Sequence, residues 1–178
     1  MAEAPDEQLM LAYRGGDAGA FETLYARHRT RLFRFVLRSI KSRAIAEDLY
    51  QEIWMRVIEA RSTYKATARF TTWLFTIAHH RMVDHWRKAG NPLVSLDEAE
   101  AISGNPGPER QAEAREALAR FAAALESLPP AQREAFLLHE EGGLTVPEIA
   151  AATGTNEEAA KSRLRYALAK LKAAVGDG

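Results

Sequence analysis

Residues 144–172 read LTVPEIAAATGTNEEAAKSRLRYALAKLK, and their punctuation specifies two helices around a sharp turn. Thr145-Val146-Pro147-Glu148 fits a capping box, in which the threonine hydroxyl and the glutamate carboxylate satisfy each other's backbone donors. Thr155-Asn156-Glu157-Glu158 repeats the device ten residues later. Between them Thr153-Gly154 supplies a tight turn, since glycine takes the left-handed conformation at little cost. Small Ala150 permits a close helix crossing. A short helix, a glycine turn and a longer helix make a helix-turn-helix. Ala160, Leu164, Ala167, Leu168 and Leu171 fall at helical spacing and are expected inside. Lys161, Ser162, Arg163, Arg165 and Lys172 fall largely on other sides, with Asn156 at the helix start. A recognition helix needs that division, because polar residues meet base edges while Lys and Arg neutralise phosphates. Glu157 and Glu158 suit the cap and the helix dipole.

Outward from this motif the chain stays helical. Leu128-Pro129-Pro130 opens a helix that runs to about Glu140 and stops at Gly142-Gly143, since proline suits a first helical turn. Residues 109–127 form an Ala- and Glu-rich helix with Leu118, Phe121, Ala122, Leu125 and Leu128 on its expected inner face. Before it, residues 90–108 hold four prolines or glycines in their last five positions and Gly90-Asn91-Pro92 at their start. Proline removes donors and disfavours helix at the preceding residue, so this reads as a flexible linker and a domain boundary. The expected division is 1–90, linker 91–108 and 109–178.

The first part shows one buried stripe through Phe21, Leu24, Tyr25, His28, Leu32, Phe35 and Val36. Gly15-Gly16 ends a short helix before it, and Asp17 caps it. A helix over about 43–61 has Ile45, Leu49, Ile53, Val57 and Ile58 as its expected inner face. Another over about 69–89 turns Phe70, Trp73, Leu74, Ile77, Ala78 and Val83 inward. No β-alternation lasts four residues, so the expected fold class is all-α, two small helical domains.

The 178 residues carry 24 basic and 24 acidic side chains and no cysteine. Zero cysteine excludes disulfides and thiolate metal sites within this chain. No apolar run approaches the ~18–20 residues of a membrane helix, and the start MAEAPDEQLM lacks the pattern of a secretion signal. A soluble cytoplasmic protein without membrane insertion is expected. The balanced charge is segregated: residues 21–45 hold seven bases and one acid, while residues 93–128 hold seven acids and three bases. Such blocks point to different faces for different partners.

Three segments together resemble a known family. Leu128-Pro-Pro-Ala-Gln-Arg-Glu-Ala-Phe-Leu-Leu, Glu148-Ile-Ala and Ala160-Lys-Ser-Arg-Leu are similar to the C-terminal promoter-reading domain of bacterial sigma factors. Ala46-Glu-Asp-Leu-Tyr-Gln-Glu-Ile-Trp-Met-Arg-Val resembles the segment that grips core RNA polymerase. Phe70-Thr-Thr-Trp-Leu-Phe-Thr-Ile-Ala-His-His-Arg-Met-Val-Asp-His-Trp-Arg resembles the helix that engages the proximal promoter element. Their order and the two-part layout resemble the extracytoplasmic-function subgroup. The resemblance implies a non-enzymatic initiation factor whose partners are core RNA polymerase, promoter DNA as duplex and as melted single strand, and an anti-sigma protein.

Carried over residue by residue, Asp48, Gln51, Glu52 and Arg56 would contact polymerase; they also share one face of their helix. Tyr64, Lys65, Arg69, His80, Asp84, Arg87 and Lys88 would serve the proximal element, with Tyr64 and Lys65 beside an unstacked base. Asn156, Lys161, Ser162, Arg163 and Arg165 would serve the distal element. His80 stands where the family commonly has asparagine, which leaves base preference there open. Ala160 replaces a usual β-branched residue.

Two other readings compete. His79, His80, Asp84 and His85 invite a metal centre, but they form no HExxH or adjacent His-Asp pair. A stand-alone helix-turn-helix regulator would bind duplex DNA without polymerase, usually as a dimer. No cofactor site and no catalytic set is recognisable.

Overall fold

The computed structural model describes residues 3–88 and 109–176. Eight α-helices follow in order: α1 (Asp6–Arg14), α2 (Ala18–Ser39), α3 (Arg43–Ala60), α4 (Phe70–Lys88), α5 (Glu109–Ser127), α6 (Pro130–Glu140), α7 (Val146–Thr153) and α8 (Glu157–Gly176). A 3-10 turn, Arg61–Thr63, follows α3, and among the described residues there is no strand. The 90–108 segment lies outside the described residues.

Local chemistry sets the helix ends. The Asp17 carboxylate accepts from Ala20 N and the Ser42 hydroxyl from Ile45 N. Thr145 and Glu148 close both halves of the capping box, and Gly154 ends α7 at φ 68°. The next cap differs from expectation. Asn156, not Thr155, takes the Ala159 N–H at 2.8 Å, because α8 starts one residue later than the Thr-led box requires.

Helices α1–α4 pack into one unit and α5–α8 into another. The buried apolar side chains form one continuous cluster, to which the first unit contributes Met10, Leu24, Leu32, Phe35, Ile53, Phe70 and Leu74 and the second Leu128, Leu137, Ile149, Ala160 and Ala167. Fully burying one such large side chain stabilises by ~1.5–3 kcal/mol. Arg133 locks the α5–α6 elbow: its buried guanidinium donates to the carbonyls of Leu125, Glu126 and Leu128. These carbonyls lie at the end of α5 and just beyond it, where helical partners run out, and Leu125 O also takes the Leu128 N–H.

Several inner faces are rotated from expectation. On α3, Ala46 and Trp54 are buried while Ile45 is exposed. The Trp54 ring packs edge-on to Phe21 at 5.9 Å, which turns the helix toward α2. On α5, Leu118 is 66 % exposed and Ala122 is exposed, while Leu125 and Leu128 are buried. On α8, Leu168 is exposed. On α4, Thr72, Phe75 and Met82 are buried, whereas Trp73, Ile77 and Val83 are half-buried.

The α4 difference has a cause outside its own unit: α7 packs along α4, and α6 packs against α2. Gly142, in the α6–α7 turn, lets this happen. A Cβ there would meet Phe75 Cδ2 at 3.3 Å and the Leu138 carbonyl oxygen at 2.6 Å. The two units therefore touch through backbone on one side and an aromatic edge on the other.

Candidate polymerase and promoter interface

Helix α3 presents a continuous outer edge. Asp48, Gln51, Glu52 and Arg56 are all exposed at three- and four-residue steps, as helical geometry requires. Met55 lies among them and is among the most exposed large apolar side chains. The sequence reading did not single it out; its place between Gln51 and Glu59 on the polar face was the available signal. Two of the four residues are already engaged. Glu52 accepts from Arg81 of α4, and Arg56 Nη2 donates to Asp84 Oδ2 at 3.3 Å.

The proximal set is divided. His80, Arg87, Lys88 and Lys65 are exposed. Asp84 is half-buried and tied to Arg56. Tyr64 is only 1 % exposed, stacked edge-on against Trp73 at 5.0 Å, so in this structure it offers no ring to an unstacked base. The 3-10 turn folds it inward, and Arg14 Nη1 secures its carbonyl at 2.9 Å. Burial, with Glu7 and Asp6 nearby, raises the Tyr64 hydroxyl above the usual tyrosine value.

Arg69 is held by the other unit. Its Nε and Nη2 meet the two Glu148 oxygens, each at 2.7 Å, and Nη2 also donates to the Gly143 carbonyl at 2.8 Å. Glu148 further accepts from the Thr72 hydroxyl at 2.6 Å and from Thr145 N at 3.0 Å. The Arg69 fork, with help from both threonines, draws the Glu148 carboxyl down to about 2 despite some desolvation. The same bond raises Arg69. Bidentate pairs of this kind are the stronger, more directional sort.

Two further pairs cross between the units. Arg38 donates to Glu141 at 2.8 Å, and the His79 ring meets Glu134. In all three the base belongs to the first unit and the acid to the second. A cleft of about 300 Å³ lies beside them, lined by Val83, Trp86, Arg87, Ala131 and Arg163.

The distal set lies on the helix-turn-helix. Asn156, Lys161 and Arg165 are exposed on α8; Ser162 and Arg163 are half-buried, the latter toward the cleft. Asn156 spends its side-chain oxygen on the cap. Tyr166, also exposed, was not anticipated; the Arg165 guanidinium lies 5.5 Å from its ring. The histidines on α4 do not gather. Among the described residues no three His, Cys, Asp or Glu side chains form a metal-holding group.

Comparison with known proteins follows this geometry. Sigma-70 region 2 matches residues 24–91 and Sigma-70, region 4 matches residues 118–171. The chain is 34 % identical to RNA polymerase sigma factor CarQ of Myxococcus xanthus over 171 residues, covering 94 % of this chain and 96 % of that protein. It is 33 % identical to the ECF RNA polymerase sigma factor SigK of Mycobacterium ulcerans, covering 88 % of this chain and 86 % of the relative. The chain belongs to the extracytoplasmic-function sigma factors. It is thus a non-enzymatic transcription initiation factor that works with RNA polymerase on promoter DNA, and the stand-alone regulator reading falls away. The solved structure of CnrH in complex with the cytosolic domain of CnrY is similar to this sigma factor at 26 % identity. The TM-score is 0.70, and the match covers 97 % of this chain and 99 % of that one. Among the described residues no helix is long and apolar enough to cross a membrane.

Proposed function

We propose that this sigma factor reads its promoter in two parts. The 1–90 unit holds core polymerase through Asp48, Gln51, Glu52, Met55 and Arg56, and takes the proximal element as melted strand with Lys65, His80, Arg87 and Lys88. The 109–178 unit reads the distal element as duplex, placing Lys161, Ser162 and Arg165 near base edges and Arg163 near phosphate. The observation that carries this reading is the distribution of exposed cations. Exposed arginines also line α2 (Arg29, Arg31, Arg34), but the exposed cations at the assigned promoter positions stand on α4 and on α8, two helices in separate units, while α3 presents an acidic-polar edge. Phosphate contacts fix position while base contacts specify sequence, so two such faces suit two promoter elements.

Arg69 joins the proximal set only when the units separate, since Glu148 occupies its fork. The paired bases and acids give the units affinity for each other. That affinity suits control by an anti-sigma protein that holds both units together. CnrH, a structural relative, was solved with the cytosolic domain of CnrY. The work is done in the cytoplasm, where core polymerase meets DNA.

The test is initiation by core polymerase on promoters randomised in each element. Arg165→Ala is expected to flatten sequence preference in the distal element alone, and His80→Asn to shift preference in the proximal element alone. Unchanged preference at both elements would overturn the assignments.

A further inference from the structure

We propose that Arg81 is a positioning residue: it acts through Glu52 to set the polymerase-binding edge of α3. The inference rests on the reading that Glu52 contacts core polymerase.

Arg81 lies on α4, and its side chain is only 12 % exposed, whereas the Glu52 side chain is 48 % exposed. Both Nε and Nη2 of Arg81 address one oxygen of Glu52, Oε2. The Glu52 side chain itself stays half-exposed, so the acid is both tethered and accessible. Arg81 Nη1 is buried and has no hydrogen-bond partner. Such an arrangement gives little as simple glue, since a guanidinium that loses water without meeting all its partners is a poor way to hold two helices. It does restrict one acid on an exposed edge.

A glutamate on a helix surface otherwise samples many rotamers, and a partner must suppress them on binding. Arg81 removes that freedom beforehand. One helical turn on, the Arg56–Asp84 pair crosses the same seam with the opposite polarity. Both pairs join α3 to α4, so the acid is tethered to the neighbouring helix. Preorganising one long side chain changes affinity by roughly two- to tenfold.

The test is a double-mutant cycle on core polymerase affinity with the full chain. It uses Glu52→Gln, Arg81→Gln and the combination, with helicity checked by circular dichroism. Each single variant is expected to weaken binding by roughly two- to tenfold. The double variant should bind no more weakly than Glu52→Gln alone, because Arg81 then has nothing to position. Arg81→Lys, which keeps the charge but loses the fork, should fall between and serves as the probe if Arg81→Gln unfolds. Equal losses from Arg81→Gln in both backgrounds, or none in the wild-type background, would overturn the proposal while leaving Glu52 as a contact. No loss from Glu52→Gln would overturn the polymerase-contact reading itself, and the positioning role with it.

Discussion

Replacing Glu148 with glutamine should loosen the hold between the two units. The carboxylate takes a two-oxygen grip from Arg69 at 2.7 Å and a further bond from Thr72 at 2.6 Å, both residues of the other unit. Glutamine keeps one acceptor and turns an amide donor toward the Arg69 donors. A carboxyl drawn from 4.5 to about 2 sets a ceiling of about 3 kcal/mol. Arg69 is 53 % exposed on its side chain, so solvent screening reduces this to about 1–2 kcal/mol. That is about a five- to thirtyfold fall in the ratio of closed to open forms. The chain has no cysteine, so Met55→Cys and Tyr166→Cys, both at exposed positions, take a dye pair specifically. Single-molecule energy transfer then reads the closed fraction. Glu148 also caps α7, and Arg69→Gln separates the roles: it should open the units equally while leaving the cap intact. The sign with pH follows from the lowered carboxyl. Its stabilisation is present above the ordinary value near 4.5 and is lost as pH falls toward about 2. The Glu148 contribution should therefore be flat across neutral pH. An unchanged distance distribution in both variants would refute the reasoning.

Gly142→Ala should destabilise the fold by about 1–3 kcal/mol in chemical denaturation, because its Cβ would sit 2.6 Å from the Leu138 carbonyl oxygen and 2.9 Å from Leu144 Cδ1. Arg133→Met should lower the thermal midpoint, since three carbonyls at the α5–α6 elbow lose the guanidinium; Leu125 O keeps the Leu128 N–H, while an abandoned buried acceptor such as Leu128 O costs about 1–3 kcal/mol. Arg163→Ala should weaken distal-element binding and reduce the slope of log affinity against log salt by about one, as loss of a phosphate contact requires, whereas Arg165→Ala should leave the slope and change sequence preference. Asp48→Ala and Gln51→Ala should each weaken core binding in an equilibrium titration without changing thermal stability, both side chains being exposed.

The helix-turn-helix was legible because its chemistry is local. Thr145, Glu148 and Gly154 act within a few residues, and each does in the structure what its type and spacing imply. The order of helices was legible for the same reason, through Asp17, Pro130 and the glycine stops. What escaped depends on distant neighbours. Thr72 and Phe75 lie off the stripe read for α4; Glu148 of α7 takes the Thr72 hydroxyl, and Phe75 meets Phe35 of α2 edge-on at 5.3 Å. Leu118 fits an apolar stripe yet stands exposed, since periodicity marks a face but not what covers it. Among the site residues, exposure of Asp48, Gln51, Lys161 and Arg165 followed from the helical wheel. The inward turn of Tyr64 and the capture of Arg69 by Glu148 did not, since no local rule pairs residues 79 positions apart.

On this reading, specificity for two promoter elements resides in this chain while polymerase does the chemistry. Mapping transcript 5′ ends from a genomic library, with core polymerase alone and with this sigma factor added, tests it most directly. The account predicts that addition yields a discrete set of start sites, each preceded by two short sequence elements at fixed spacing. Start sites that are equally scattered with and without the chain would contradict it.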